Sequence, residues 1–144
     1  MKFQWDEEKN QLNKAKHKIS FETAAYVFAD PKCIELYDTK HSMEEDRFIA
    51  IGKVGEVLFV VFTERKESIR LISARLATSA ERRLYYDQDL TIKPGQSPTR
   101  EQFQEVEYAK KYPIAFDEEC EELPPEMIET FKVSIGRQNH RKKA

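Results

Sequence analysis

The chain has 144 residues, of which 40% are hydrophobic and 35% are charged, so it can bury a modest core beneath a highly charged surface. Its four glycines and its lack of low-complexity runs exclude a fibrous or flexible chain, and no apolar run is long enough to cross a membrane. The net charge of −2 is by itself no indication of nucleic-acid binding.

The N-terminal part of the chain predicts a short strand and two helices. Residues 3–5 are mostly apolar, and Asp6 is a typical N-cap for a helix over roughly 7–17. A second helix is expected between Ser20 and Asp30, because the residue before Pro31 avoids the helical region. Its apolar residues have the spacing of one core-facing stripe: Phe21, Ala24, Ala25 and Phe28.

Three apolar runs in the middle of the chain predict the core of a sheet. They cover residues 48–51, 57–62 and 69–74, and they are rich in β-branched and aromatic side chains. Because short turns connect them, we expect an antiparallel meander, preceded by a strand over residues 33–37. Ser79 is the expected N-cap of a helix over about 80–89.

These elements predict an α+β fold with two parts. Residues 1–90 are expected to form one domain, a small antiparallel sheet with its helices on one side. Residues 91–98 concentrate proline, glycine and serine and are predicted to be a linker. Residues 99–144 are predicted to be a helical extension.

The extension is predicted to contain two short helices. Thr99 and Gln102 have the spacing of a capping box for the first of them, and Pro124-Pro125 suits the start of the second. Each helix has only one thin apolar face. We therefore expect the extension to need a partner surface, in the same chain or in another one.

Charge is segregated along the chain. Residues 1–90 carry 15 basic and 16 acidic side chains, whereas residues 98–129 carry 3 basic and 10 acidic ones. Residues 130–144 carry 5 basic side chains and no acidic ones. Such asymmetry is typical of an interaction segment.

Two cysteines, Cys33 and Cys120, lie far apart and have no partners at metal-ligand spacing. In a chain without a recognisable export signal, we expect two free thiols and a cytoplasmic protein. The sequence predicts neither a metal site nor a cofactor.

The familiar catalytic motifs are missing from the sequence, including a phosphate-binding glycine loop, H-E-x-x-H and Cys-x-x-Cys. What remains is a set of Arg, Lys, His and Tyr residues around the sheet. Such a set can bind a phosphodiester, stabilise charge on a pentavalent phosphorus and move a proton. Metal-independent cleavage of RNA needs no more, because the 2′-hydroxyl supplies the nucleophile.

Three residues are candidates for this chemistry. His17 ends the first helix, where it is either an acid–base group near neutral pH or a cation favoured by the helix dipole. Arg75 lies where a strand is expected to end, and a structural ion pair explains it equally well. Arg65 precedes that strand, and at 3.3 Å per residue it could lie roughly 20 Å from Arg75, too far for both to contact one scissile phosphate.

Six other basic residues are candidates for binding nucleic acid: Lys14, Lys18, Arg47, Arg70, Arg82 and Arg83. Arg82 and Arg83 fit a solvated helix face as well. Tyr85 and Tyr86 could stack on a base, although one of them is expected to pack on the sheet. His41, in a charged loop, is interpreted as a surface residue.

Several motifs of the first domain resemble the BrnT toxin family. They include K-H-x-I-S-F-E-x-A-A-x-V-F-x-D-P at 16–31, R-F-I-A-I-G at 47–52, V-V-F-T-E-R at 60–65 and I-R-L-I-S-A-R-x-A-T-x-x-E-R-R at 69–83. The resemblance implies a toxin of a type II toxin–antitoxin pair, with a RelE-like ribonuclease fold, that inhibits translation by cleaving RNA. The family's arginines in the third and fourth motifs correspond to Arg65 and Arg75, and its K-H element corresponds to Lys16 and His17.

Residues 99–143 are similar to the small antitoxins that are encoded beside BrnT-type toxins. The resemblance implies that toxin and antitoxin are joined in one chain. An acidic segment could lie across the basic RNA surface and take the place of phosphates. The expected partners are therefore RNA and the antitoxin segment, in cis or from a second protomer.

Two alternatives remain open from the sequence. The first domain could bind protein or nucleic acid without cleaving it, while the tail mediates oligomerisation. The chain could also form a structural homodimer in which the tail swaps between protomers.

Overall fold

A five-stranded sheet is the centre of the computed structural model, which describes residues 1–42, 44–87, 98–123 and 128. The strands are β1 (Lys2–Gln4), β2 (Ile34–Tyr37), β3 (Phe48–Val54), β4 (Glu56–Arg65) and β5 (Ser68–Leu76). The helices are α1 (Glu7–His17), α2 (Phe21–Ala24, continued by a 3-10 helix over Ala25–Ala29), α3 (Ser79–Tyr86) and α4 (Arg100–Ala109). The predicted α+β fold class is confirmed.

The strand order is β1-β5-β4-β3-β2. The strands β2 to β5 form the predicted antiparallel meander, and Phe59 of β4 lies opposite Arg75 of β5. The sheet as a whole is mixed, because β1 pairs in parallel with β5, with Phe3 opposite Ile69. A register shift after Val61 adds a bulge to the hairpin of β4 and β5.

Both faces of the sheet are covered. On one face, α2 packs on a buried cluster that includes Phe21, Val27, Leu58 and Phe62. On the other face, α3 packs through Leu84 on a second cluster. The structure thus differs from the expectation that all helices lie on one side. Only two residues separate β5 from α3, and the buried side chains Leu84 and Tyr85 of α3 belong to that second cluster.

The starts of the helices follow the expected capping chemistry, with one shift. The Asp6 carboxylate caps α1 by accepting hydrogen bonds from the backbone of Glu8 and Lys9. The N-cap of α3 is Thr78 and not Ser79 as predicted, because Thr78 and Glu81 form a complete capping box. The expected single helix after Ser20 becomes an α-helical turn followed by a 3-10 helix.

The tail segment, residues 98–123, packs on its own chain through α4. The predicted capping box is confirmed, since the side chains of Thr99 and Gln102 each bond to the other residue's backbone. Val106 and Ala109 are buried in the cluster under α2. The structure therefore provides the partner surface that the thin apolar face of this helix requires.

The end of the tail segment covers the opposite face of the sheet. Cys120 and Leu123 are buried there, beside Phe59 and Val61. Ile128, the last described residue, belongs to the same cluster. Of the predicted linker only Pro98 is described, and the predicted helix after Pro124-Pro125 otherwise lies outside the described residues.

None of the helices in residues 1–42, 44–87 and 98–123 has the length and apolar content needed to cross a bilayer. Cys33 and Cys120 are both buried, and neither forms a disulfide.

Asn13 connects α1 to the edge of β5. Its side-chain amide donates to the carbonyl of Ala74 at 2.9 Å and to that of Ile19 at 2.8 Å. Its oxygen accepts from the backbone N–H of Ala74 at 3.1 Å and from the Ser73 hydroxyl at 3.2 Å. The side chain thus bonds to β5 as a neighbouring strand would, and it fixes the end of α1 beside the end of β5.

We expect Asn13→Ala to lower the free energy of unfolding by about 2–4 kcal/mol, because several buried polar groups lose their partners at once. Urea denaturation of both proteins measures the change. Gln11→Ala is the matched control, since Gln11 is exposed on the same helix and its loss should change stability by less than about 0.5 kcal/mol. Equal stabilities of the two variants would contradict the proposed role of Asn13.

Candidate active site

Arg75 is fully buried in an ion pair with Glu81. Its Nη1 and Nη2 atoms donate to the two carboxylate oxygens of Glu81 at 2.8 and 2.9 Å, and the two side chains are 1% and 0% exposed. A further bond from Nη1 reaches the Leu76 carbonyl at 3.0 Å. The guanidinium lies 4.0 Å from the centre of the Phe59 ring. This geometry is the structural ion pair that the sequence left open as an alternative.

Arg75 also contacts the tail segment. Its Nη2 atom donates to the backbone carbonyl of Glu121 at 2.8 Å, and the Phe116 ring lies 4.9 Å from the guanidinium carbon. Burial disfavours the charge of Arg75, but the hydrogen bonds that it donates to Glu81 raise its pKa above the ordinary value. A permanent cation is therefore held rigidly against the tail.

His17 lies under the same tail segment. Its Nε2 atom is 3.2 Å from a carboxylate oxygen of Asp117, and Lys16 places its ammonium 2.9 Å from that oxygen. The Nδ1 atom of His17 is buried and has no hydrogen-bond partner among the described residues. The neutral imidazole with its proton on Nε2 fits this environment, because a proton on Nδ1 would be buried without an acceptor.

The pKa values of the pair follow from its surroundings. Burial lowers the pKa of His17 below its ordinary value, although the Asp117 carboxylate opposes this, and the charges of Lys16 and Arg75 lower it further. Burial alone would raise the pKa of Asp117, but the hydrogen bond from Lys16 and the charge of His17 bring it below its ordinary value. A neutral histidine close to a fixed arginine is suited to accept a proton near neutral pH.

Arg65 lies away from His17 and Arg75. It is exposed at the far end of β4, where it forms an ion pair with Glu45 at 3.1 Å. Arg75 pairs with Phe59, six residues before Arg65 along β4. At 3.3 Å per residue the separation is roughly 20 Å, so the structure brings together His17 and Arg75 but not Arg65.

The candidate nucleic-acid-binding residues divide into two groups. Arg70 pairs with Thr63 across the sheet and Arg47 immediately precedes β3, so both lie between the ends occupied by Arg75 and Arg65. The remaining four lie on helices or helix ends: Lys14 and Lys18 at α1, and Arg82 and Arg83 exposed on α3.

Two of these residues contact the tail segment. Lys14 lies 3.8 Å from Glu105, and Lys18 lies 5.0 Å from the centre of the Tyr112 ring. Tyr85 is the tyrosine that packs on the sheet, whereas Tyr86 is exposed.

The sequence interpretation missed His41. Its Nδ1 atom lies 2.9 Å from the buried Asp38 carboxylate, and its Nε2 atom lies 3.5 Å from Glu121. The ammonium of Lys40 lies 2.8 Å from the other oxygen of Glu121. One signal was available, because the Lys-His dipeptide at 40–41 repeats the one at 16–17.

An open cleft of about 550 Å³ borders the site, with His17 and Asp117 on its wall beside Lys9, Lys16 and Ile72. Within the described ranges, no group of three or more His, Cys, Asp or Glu residues is arranged to hold a metal ion. The groups that converge here are cations, a histidine and the carboxylates of the tail. Such an arrangement can bind a phosphodiester and transfer a proton.

Comparison with known proteins gives a family match for the first domain. A family model described as the ribonuclease toxin BrnT of type II toxin–antitoxin systems matches residues 5–81. No curated protein matches the chain. The matched range includes His17, Arg65 and Arg75, and it ends before the tail segment.

Glu81→Gln should lower the free energy of unfolding by about 3–5 kcal/mol, because the buried Arg75 loses its counterion. Glu45→Gln is the matched control, since it removes the partner of the exposed Arg65 and should cost less than about 1 kcal/mol. Urea denaturation at neutral pH measures both changes. Similar values for the two variants would show that burial does not distinguish the two pairs.

The lowered pKa of His17 makes stability depend on pH. As the pH falls below 6.5, the ordinary pKa of histidine, His17 binds a proton more readily in the unfolded chain than in the folded chain. The free energy of unfolding therefore falls as the pH falls. His17→Asn should weaken this dependence between about pH 7.5 and 5.5, whereas Asp117 titrates below this window. Urea denaturation across the window measures the slope, and an unchanged slope in the variant would contradict the assignment.

Proposed function

The chain belongs to the BrnT family of ribonuclease toxins of type II toxin–antitoxin systems, and we propose that it is a metal-independent endoribonuclease held inactive by its own tail segment. One observation carries the proposal. The acidic tail segment lies on the candidate catalytic groups, with its Asp117 carboxylate bound by Lys16 and His17 and the Glu121 carbonyl bound by Arg75.

Charge complementarity supports the role of the tail segment. Four ion pairs join lysines of residues 1–87 to carboxylates of the tail segment: Lys9–Glu119, Lys14–Glu105, Lys16–Asp117 and Lys40–Glu121. The lysine partners of such carboxylates are the groups that would bind phosphates in an RNA complex. A carboxylate in place of a phosphate is a simple way to block a site of this kind.

The chemistry we propose uses His17 as general base. Once the tail no longer holds Nε2 against Asp117, His17 in the tautomer with its proton on Nδ1 would take the proton of a 2′-hydroxyl at Nε2 while the bond from O2′ to phosphorus forms. The bond from phosphorus to O5′ breaks, O5′ takes a proton from water, and the products are a 2′,3′-cyclic phosphate and a 5′-hydroxyl end. Arg75 would stabilise the charge on the phosphoryl oxygens with the N–H that now bonds to Glu121.

The basic residues beyond His17 and Arg75 would bind the RNA strand. Arg47 and Arg70 lie along the sheet between Arg75 and Arg65, so the three arginines of this track could contact successive phosphates. In this proposal Arg65 binds RNA away from the scissile phosphate and takes no part in the bond-breaking step. Lys14, Lys18, Arg82 and Arg83 would extend the contact surface along the helices.

Residues 99–144 would act as an antitoxin joined to its toxin. A tail in the same chain faces the site at an effective concentration of about the millimolar range, if its linker can span the distance. Release of the tail would expose the site, and the exposed site would cleave RNA and so inhibit translation in the cytoplasm.

A second function has one observation in its favour. Glu81 engages Arg75 through both carboxylate oxygens, which is the arrangement of a structural ion pair. A domain of this kind could bind RNA or protein without cleaving it, with the tail mediating oligomerisation or swapping between two protomers. RNA binding by a released chain without any cleavage would favour this function.

Reversing the charge of the tail contacts should activate the full chain. Asp117→Lys combined with Glu121→Lys places like charges against Lys16 and Lys40, so the tail should leave the site. The protein should then cleave RNA, and its expression should stop growth. Glu118→Lys with Glu122→Lys is the matched control, because both residues are exposed in the same turn region and the net charge changes equally. RNA integrity in vitro and growth in culture are the two readouts.

The control should remain inactive, and His17→Asn in the activated chain should abolish cleavage. A folded, activated chain that leaves RNA intact at high concentration would falsify the ribonuclease proposal. Cleavage that persists after His17→Asn would instead exclude His17 as the base.

A further inference from the structure

The loop between β2 and β3 holds His41 in one orientation. The Asp38 carboxylate is 7% exposed, and its oxygens accept from the backbone N–H of His41 at 3.4 Å and contact the ring Nδ1 at 2.9 Å. The Ser42 hydroxyl donates to the Asp38 carbonyl at 2.6 Å and accepts from the backbone N–H of Arg47. The ring is thus fixed from behind, and its Nε2 atom is left for a ligand.

Glu121 occupies the position in front of this ring. Its two carboxylate oxygens lie 3.5 Å from Nε2 of His41 and 2.8 Å from the ammonium of Lys40. Its backbone carbonyl accepts the hydrogen bond from Arg75. Three basic groups, two from the loop between β2 and β3 and one from β5, therefore contact one acidic residue.

The same arrangement occurs at Lys16 and His17. In both places a Lys-His dipeptide binds one carboxylate of the tail, and in both the histidine uses its Nε2 atom. The two carboxylates lie at the two ends of one turn, since Asp117 opens it, the paired backbone of Asp117 and Cys120 closes it, and Glu121 follows directly. Arg75 contacts the residue that bears the second carboxylate.

We propose that Lys40 and His41 form a second phosphate-binding subsite, which binds the phosphate next to the one at Lys16 and His17. The inference rests on the proposed function, because it takes RNA as the ligand. Glu121 marks the position of the second phosphate as Asp117 marks that of the first. Asp38 is the positioning residue of this subsite.

Two buried groups distinguish this subsite from an ordinary surface ion pair. Lys40 and Glu121 are 59% and 41% exposed, and such a pair alone indicates nothing. An ordinary surface pair has no buried carboxylate that orients a neighbouring imidazole. Its acidic residue also accepts no hydrogen bond from a buried arginine. Both features favour a site that holds an anion with several charge-assisted hydrogen bonds.

The test uses the full chain with Asp117→Asn and Glu121→Gln, which removes the two anions that hold the tail over the subsite. The probe is a short 2′-O-methyl RNA, which cannot be cleaved because its 2′-oxygen is blocked. For a single strand, the slope of log affinity against log salt decreases by about 0.7 when the protein neutralises one phosphate fewer. Lys40→Gln in this background should lower the slope by about that amount and weaken binding roughly tenfold at low salt.

Lys110→Gln in the same background is the matched control, because Lys110 is a similarly exposed lysine that lies near Glu56 and away from the subsite. It should leave the slope and the affinity unchanged. His41→Asn should weaken binding as Lys40→Gln does.

The outcomes separate this inference from the proposed function. If Lys40→Gln changes the slope of log affinity against log salt, the result supports the subsite even if the activated chain cleaves no RNA. Binding that is indifferent to both Lys40 and His41, in a protein that does cleave RNA, overturns the subsite and leaves the ribonuclease proposal standing. Failure of the neutralised chain to bind the probe at all overturns the subsite as well.

Discussion

The carboxylate of Glu81 fixes both the start of a helix and a buried arginine. One of its oxygens accepts both the backbone N–H of Thr78 at the start of α3 and the guanidinium of Arg75, and the other accepts Arg75 alone. The same carboxylate therefore sets where α3 begins and in which direction Arg75 extends. Both charged groups are desolvated, so removal of either one leaves the other buried without a counterion. The position of Arg75 relative to the tail is a consequence of this pair.

The tail segment is held by two different forces at the two faces of the sheet. Under α2, Val106 and Ala109 contribute apolar burial. On the opposite face, Cys120 and Leu123 are buried beside Phe59, and the carboxylates between and before them contact basic side chains. Apolar burial depends little on salt, whereas the exposed ion pairs are screened by it. The ion pairs thus place the residues around Asp117 and Glu121 over the site, whereas the apolar contacts hold the rest of the tail segment on the chain.

Local patterns in the sequence predicted much of the fold. The runs that became β3, β4 and β5 are recognisable because their β-branched and aromatic residues are needed on both buried faces. Capping residues predicted where α1 and α4 begin, because the hydrogen bonds that cap a helix join residues close together in the sequence. The face on which α3 packs could not be predicted, because it depends on the geometry of a turn and not on the residues of the helix.

The candidate site was only half predictable. His17 and Arg75 were candidates from residue type and family resemblance, and they meet because Asn13 joins α1 to β5 across 61 positions of sequence. His41 was missed because its orientation depends on Asp38 and its contact on Glu121, and no local pattern connects those three residues. The separation of Arg65 from Arg75 followed from strand geometry alone, and the register agrees with it.

The bonds of Asn13 to β5 also determine how the sheet can associate with other chains. A strand with unpaired backbone groups at the edge of a sheet is a template for strand addition. On one side of the described sheet this template is removed, since β1 pairs with the first part of β5 and Asn13 satisfies both backbone groups of Ala74. The opposite edge, β2, is four residues long. A partner that adds a strand to the described sheet would therefore have to pair with one of its two short edge strands, β1 or β2.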